Sequence, residues 1–452
     1  MKQNRKRRRR WPSGRQVAAW FANRASQAWT HTRGLARGVI SRLHRRRADR
    51  AQTAQIKTEV RAGAPGLDLL LVFAVLVLVG LGLVLVYSSS AVFAGARYGS
   101  PFHFFKRHLV YAVIGLVAFY VGWRLDYGLY RRFSYPMLAG ALLLLLALLV
   151  PGLGTRIDGA TRWFHLGGVS LQPSEPAKFA LVVYLAHSLT KKRDSMRSFS
   201  IGFLPHLCVA GLMGLLVLRQ PDLGTAAILA LVTLLLLLVA GTKLSYVVIS
   251  MLAVAPMAYQ LIVGTPWRLR RLLAFLDPWA YRQDAGYQIS ESLISIGSGG
   301  LFGLGLGDGK QKLFFLPAAH TDFIYAIVGE ELGLVGMGLV AALIVLILWR
   351  GMSAALRARD LFGSYLAFGI AGIFGLQALL HISVVLGLVP TKGITLPLVS
   401  YGGSALITSL FCMGVLLNIA ERHPTPGAVK LLEHRGQSNR KKPTRVAVVS
   451  NV

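Results

Sequence analysis

The chain has 452 residues, of which 54% are hydrophobic and 15% charged, with a mean hydropathy of +0.54, a composition that excludes an ordinary soluble enzyme. A formal net charge of +32, from 50 Lys+Arg against 18 Asp+Glu, must be concentrated somewhere in so apolar a chain. Cys208 and Cys412 each sit inside an apolar run, which excludes a disulfide framework.

Residues 1–62 hold 18 basic and two acidic side chains. They read as a basic cytoplasmic extension beside an anionic inner leaflet or cytoplasmic partners. Nucleic-acid binding is the competing reading for this leader alone, and none is expected of the protein as a whole. The first apolar run starts at Leu67, far behind the leader and with no small-residue cleavage site, so it is expected to be a permanent anchor.

A helix needs about 20 apolar residues to cross a hydrocarbon core of about 30 Å. Ten such runs are predicted, at 67–88, 107–123, 133–151, 174–190, 202–218, 225–240, 244–264, 322–348, 361–387 and 403–420. The fold class expected is all-α, a polytopic membrane protein of about ten transmembrane helices, with a domain over 63–422 and a basic tail over 423–452. Because Lys and Arg stay on the cytoplasmic side, both termini are placed inside. Arg124, Arg131 and Arg132, then Lys191, Lys192 and Arg193, then Lys243, then Arg350, Arg357 and Arg359 fall in alternate loops consistent with that choice.

The outer, periplasmic loops are then 89–106, 152–173, 219–224, 265–321 and 388–402. The fourth, between helices 7 and 8, is too long for a plain connection and too aromatic for disorder. Its Arg268, Arg270 and Arg271 break the sign rule. With Trp267, Leu272, Leu273, Phe275, Leu276 and Trp279 they predict an amphipathic segment at the membrane interface, arginines directed to phosphates.

Polar groups inside an apolar bundle are functional candidates by default, and they fall in four clusters. The first is Arg162-Trp163 with Gln172 to Lys178, where Glu175 and Lys178 share a helical face and form either an internal ion pair or a substrate contact. The second, Gln220 to Thr225, reads first as a hairpin with Asp222 near a helix N-terminus. In the third, His320-Thr321-Asp322, the aspartate is either an N-cap or a reactive carboxylate near a helix end that favours phosphate. A base there needs burial to offset the dipole, which lowers its pKa. Glu330 and Glu331, about 12 Å further along the helix, are either hydrogen-bonded structural groups or a proton path. The fourth, Pro390 to Ser404, contains Lys392, Ser400 and Gly402 and requires broken helix at membrane level, which lines a site or forms a structural re-entrant loop.

These motifs, in this order, resemble the SEDS family, the shape, elongation, division and sporulation proteins, from about Leu67 to Arg422. The match rests on Arg162-Trp163, Gln172-Pro173-Ser174-Glu175, Gln220 to Thr225, Gly286-Tyr287-Gln288, His320 to Phe323, Gly329 to Gly333, and Leu396-Pro397 through Ser404. Pro390-Thr391-Lys392-Gly393 is more similar to the division branch than to the elongation branch. The resemblance implies an inverting peptidoglycan glycosyltransferase of the inner membrane at the septum, polymerising lipid II on the periplasmic side. Its implied partners are a class B penicillin-binding protein and other divisome proteins. Asp322 matches the family's essential carboxylate. Arg162, Glu175, Lys178, Lys392, Ser400 and Gly402 are the candidate substrate-binding residues, and a divalent cation, Mg or Mn, is compatible with a pyrophosphate substrate. Asp158 and His381-Ile382-Ser383 depart from the family pattern, and His381 reads as a satisfied internal histidine. Two other functions compete: a lipid II flippase or other transporter using Glu330 and Glu331, and a non-catalytic divisome scaffold.

Overall fold

The computed structural model describes residues 67–422 apart from 158–159 and 167–168. The basic extension 1–62, the tail 423–452 and Asp158 lie outside the described residues.

Helices α1 (Leu69–Tyr98), α2 (His103–Arg124), α3 (Tyr127–Arg132) and α4 (Ser134–Ala147) come first, then strands β1 (Thr155–Ile157), β2 (Ala160–Leu166) and β3 (Val169–Leu171). They are followed by α5 (Ser174–Lys191), α6 (Leu204–Arg219), α7 (Leu223–Val239), α8 (Leu244–Val263), α9 (Pro266–Leu276) and α10 (Tyr287–Gly299). The chain ends with α11 (Ile324–Arg357), α12 (Leu361–Val385) and α13 (Gly403–Glu421). All ten predicted apolar runs are helical. Among the described residues six helices are long and apolar enough to cross a membrane, namely α1, α2, α6 with its preceding π turn, α11, α12 and α13, and the apolar parts of α4, α7 and α8 are shorter. The tenth, α5, carries Glu175 and Lys178 in its first turn, which lowers its hydropathy without stopping the helix.

Three features differ from expectation. The first helix runs ten residues past its predicted end because Ser89 and Ser90 donate to the carbonyls of Leu85 and Val86, one turn back, so their hydroxyls need no loop. The fold is also not purely helical. Residues 155–171 form an antiparallel meander in the order β1-β2-β3, and Ser404 at the start of α13 fastens it by donating to Ser170 O (2.8 Å) and accepting from Gln172 N (2.9 Å). Third, besides α9, which falls on the amphipathic segment expected there, the long outer segment contains a further helix, α10.

The most extensive helix contact joins α2 and α13. Their backbones approach so closely that a Cβ on Gly122 would lie 2.6 Å from Phe411 O, the small-residue packing expected where lipid offers no hydrophobic drive. On the predicted inner face Asp68 caps α1 and pairs with Arg350 of α11 at 2.8 Å.

α11 is broken at Gly333, whose φ is +66°. A break at membrane depth frees backbone groups that cannot reach water. The segment after α10 takes them: Leu304 N and Gly305 N donate to the carbonyls of Glu330 and Glu331, and Leu334 N and Val335 N donate to those of Gly300 and Leu301. Both carboxylates are also occupied. Glu330 accepts from the N–H groups of Lys310 (2.7 Å) and Gln311 (3.1 Å), and Glu331 pairs with Lys312 at 2.7 Å and accepts from the Ser88 hydroxyl. Both glutamates are hydrogen-bonded, as the structural reading of them expects.

Candidate active site

Parts of all four polar clusters meet in one cavity of about 1120 Å³. Arg162 and Trp163 come from β2, Asp222 from the turn before α7, and Thr321 and Asp322 from the turn before α11. Pro390 to Gly393, Thr395 and Tyr401 to Ala405 come from the broken segment and the start of α13. Trp267, Arg268 and Arg271 of α9 and Arg107 and Tyr111 of α2 line the same space.

Asp322 arrives there through a tight turn in which the N–H groups of Thr321 and Asp322 both donate to Ala318 O, with Ala318 at φ +55°. The N-cap position belongs to Phe323 and has no side-chain cap, so the Asp322 carboxylate is not used on the helix end. Tyr401 N donates to His320 O at 3.0 Å, fastening this turn to the segment before α13. The His320 ring is packed against Phe93, Phe104 and Tyr401, and burial pushes its pKa down to about 4, so it is neutral beside the site. Arg162 is held by the carbonyls of the α6–α7 turn, Nε donating to Gln220 O at 2.9 Å and the guanidinium also donating to Pro221 O. In the same turn Asp222 caps α7, accepting from Thr225 N (3.0 Å) and the Thr225 hydroxyl (2.8 Å). The hairpin reading of that cluster holds, and Asp222 lines the cavity as well.

Among the described residues, five cationic side chains, Arg107, Arg162, Arg268, Arg271 and Lys392, line the cavity against two carboxylates, Asp222 and Asp322. Burial raises Asp322 to about 6; Arg162 and Arg271 oppose that shift, and Asp222 reinforces it. Burial lowers Lys392 to about 8, with Arg268 and Arg271 acting in the same direction and Asp222 opposing. The arrangement can therefore receive an anionic group and present a carboxylate that is more basic than a solvated one yet largely ionised near neutral pH.

Four of the seven candidate residues, Asp322, Arg162, Lys392 and Gly402, line this cavity, and three do not. Glu175 and Lys178 form a buried pair (3.0 Å) beside a separate void of about 30 Å³, because α5 turns them toward α12, where Lys178 also donates to Gln377. Ser400 is buried and accepts from Leu396 N at 2.8 Å. The expectation that Arg268, Arg270 and Arg271 are all directed to lipid phosphates is corrected by the structure, which separates them. Arg268 and Arg271, three apart and so on one face of α9, line the cavity. Arg270 is exposed and pairs with Asp284 at 3.8 Å. The breach of the sign rule was the available signal, and only the docking of α9 shows what it meant.

Among the described residues no three His, Cys, Asp or Glu side chains converge as a metal site. A divalent ion here would have to draw most of its ligands from a substrate pyrophosphate and water.

Residues 69–424 match the FtsW/RodA/SpoVE family model, described as "Cell cycle protein". The chain is 45% identical over 355 residues to a probable peptidoglycan glycosyltransferase FtsW of Geobacter sulfurreducens, covering 78% of this chain and 95% of that protein. It is 41% identical over 353 residues to stage V sporulation protein E of Bacillus subtilis, covering 78% and 96%. Among solved structures it is similar to a chain of a peptidoglycan synthase complex that coordinates polymerization and crosslinking (TM-score 0.65, 29% identity, 78% of this chain and 98% of that one). It is also similar to the rod shape determining protein RodA of Thermus thermophilus (TM-score 0.59, 30% identity, 79% and 98%).

Proposed function

Since the chain belongs to the FtsW/RodA/SpoVE family of cell cycle proteins, we propose that it is a peptidoglycan glycosyltransferase that polymerises lipid II at the outer face of the membrane, with Asp322 as general base. The observation that carries this reading is a carboxylate raised to about 6 in a cavity lined by five cations.

Asp322 takes the proton from the acceptor sugar's 4-hydroxyl as that oxygen forms a bond to the donor's anomeric carbon. The bond from that carbon to the lipid pyrophosphate breaks, and the pyrophosphate carries away the electron pair. Such a leaving group needs charge stabilisation more than it needs an acid, and Arg162, Arg271 and Lys392 are placed to supply it. Direct displacement inverts the centre, so an α-linked donor gives a β-1,4 glycan.

A class B penicillin-binding protein is the proposed partner, supported by the similarity to a chain of a complex that couples polymerization to crosslinking. The septum is the proposed location, supported by relatives named FtsW. The transporter alternative has less support, because Glu330 and Glu331 are each held by several partners. The deciding experiment follows labelled lipid II with the purified protein and its penicillin-binding partner. Polymer is expected from the wild type and none from Asp322→Ala; normal polymer from that variant removes the proposed base.

A further inference from the structure

We propose that Gln377 and His381 are positioning residues for the base, holding in place the backbone that closes over Asp322; the proposal rests on the polymerase reading above. Neither side chain lines the cavity, and both are almost fully buried in α12, with 3% and 1% of their surface exposed. Four residues apart, they stand one above the other on a single helical face.

Opposite that face runs the non-helical segment 390–400, whose carbonyls have no helical partners and whose Ile394 and Leu396 to Ser400 are buried, so that a polar group left unpaired there is costly. His381 Nδ1 lies 2.7 Å from Ile394 O, and Gln377 Nε2 donates to Thr395 O at 3.1 Å. Two side chains one turn apart thus take two consecutive carbonyls. A carbonyl only accepts, so the imidazole proton belongs on Nδ1, and the buried Nε2 has no partner among the described residues.

Lys178 decides which way the Gln377 amide points. Its ammonium donates to Oε1 at 2.7 Å, which turns the NH2 group toward Thr395, and Glu175 neutralises Lys178 at 3.0 Å. The buried pair that misses the cavity therefore acts on it through one amide. Just before the two held carbonyls come Lys392 and Gly393, and a Cβ on Gly393 would lie 3.2 Å from Oδ2 of Asp322. From the other side Ile394 packs so closely on Gly224, two residues after Asp222, that a Cβ there would lie 2.8 Å from Ile394 Cδ1. The segment is gripped from α12 and from the start of α7, and the grip from α12 is polar and directional.

The geometry separates two conservative variants. An asparagine amide nitrogen reaches roughly where Nδ1 of histidine stands, and a glutamine amide nitrogen where Nε2 stands. His381→Asn therefore keeps the donor to Ile394 O, whereas His381→Gln, closer in size, loses it. Gln377→Glu keeps an acceptor for Lys178 and sets an oxygen against Thr395 O.

The test measures initial rates of lipid II polymerisation by the full-length protein with its penicillin-binding partner, across lipid II concentrations, and thermal melting in the same detergent. His381→Gln and Gln377→Glu are expected to lower kcat on the order of 10²-fold, the cost of a misplaced reacting group. KM should stay within about twofold, as for an interaction made only in the transition state. His381→Asn should recover most of what His381→Gln loses, with melting little changed. The proposal is overturned if the two His381 variants behave alike, if Gln377→Glu turns over normally, or if the losses lie in KM or in melting. Asp322→Ala, run alongside, separates the two levels: inactive wild type brings down the polymerase reading, active Asp322→Ala removes the proposed base, and either outcome brings this proposal down with it. With an active wild type and a silent Asp322→Ala, the Gln377 and His381 variants alone decide the positioning role.

Discussion

Gly393 and Asp322 are so close that a Cβ on the glycine would stand 3.2 Å from Oδ2 of the carboxylate. At that separation a methyl group crowds the oxygen meant to receive a proton and forces the segment or the carboxylate to shift by a few tenths of an ångström. Gly393→Ala is therefore expected to reduce polymerisation about tenfold, since displaced reacting groups lose rate steeply, with no change in detergent melting. Full activity in this variant would mean that the segment does not close over the base during turnover.

Rate against pH should show two limbs. The carboxylate of Asp322 is the active form, so activity rises as pH increases through about 6. The ammonium of Lys392 is the useful form, so activity falls as pH increases through about 8. Asp222 raises both groups, and Asp222→Asn, which still caps α7, should move both limbs to lower pH. Arg271 lowers both, and Arg271→Gln should move them upward. Limbs that ignore both substitutions would assign the titration to other groups.

Arg270 and Arg271, adjacent on α9, have different environments, so they should respond differently. Arg271→Gln removes a cation from the cavity, and the loss of one hydrogen bond to a charged group, about 1.5–3 kcal/mol, corresponds to a rise of roughly tenfold or more in KM for lipid II. Arg270→Gln removes an exposed partner of Asp284 and should change KM little. Equal effects would return α9 to the lipid-surface role.

Gly333 has φ +66°, and a Cβ there would also run into the Gly303 nitrogen and the Leu301 carbonyl that fill the break. Gly333→Ala should cost about 3 kcal/mol or more, combining backbone strain with lost hydrogen bonds. Lower melting and less monodisperse protein in size-exclusion chromatography would show it.

Lys312 and Glu331 are both buried, so removing one leaves the other uncompensated. Glu331→Ala should destabilise by about 3–5 kcal/mol, and the double change Glu331→Leu with Lys312→Met should recover part of that loss. Thermal melting of the three proteins compares them. A double variant that melts normally and still polymerises would also remove the midplane ion pair from any transport scheme.

Much of the fold is legible in the residues. Hydropathy located all ten apolar helices, because the length a helix needs in a bilayer is set by the bilayer and not by neighbours. The meander of 155–171 was not legible, since its strands are three to seven residues long and are fixed partly through Ser404, far away in sequence. Ser89 and Ser90 hid ten residues of α1 by looking like a loop while bonding within the helix.

The sequence by itself determined the membrane class and the order of the polar motifs, because each depends on local composition or spacing, whereas the choice of Asp322 over an N-cap reading rested on the resemblance of those motifs to the family. Only the tertiary structure decided which polar groups share a space. It brought Arg271 and Lys392 to Asp322, turned Glu175 and Lys178 away toward Gln377, and enclosed Glu330 and Glu331 in backbone donors and a lysine. The reason is physical: a charge inside an apolar bundle must find partners, and which partners it finds depends on helix rotation and on the docking of segments distant in the chain.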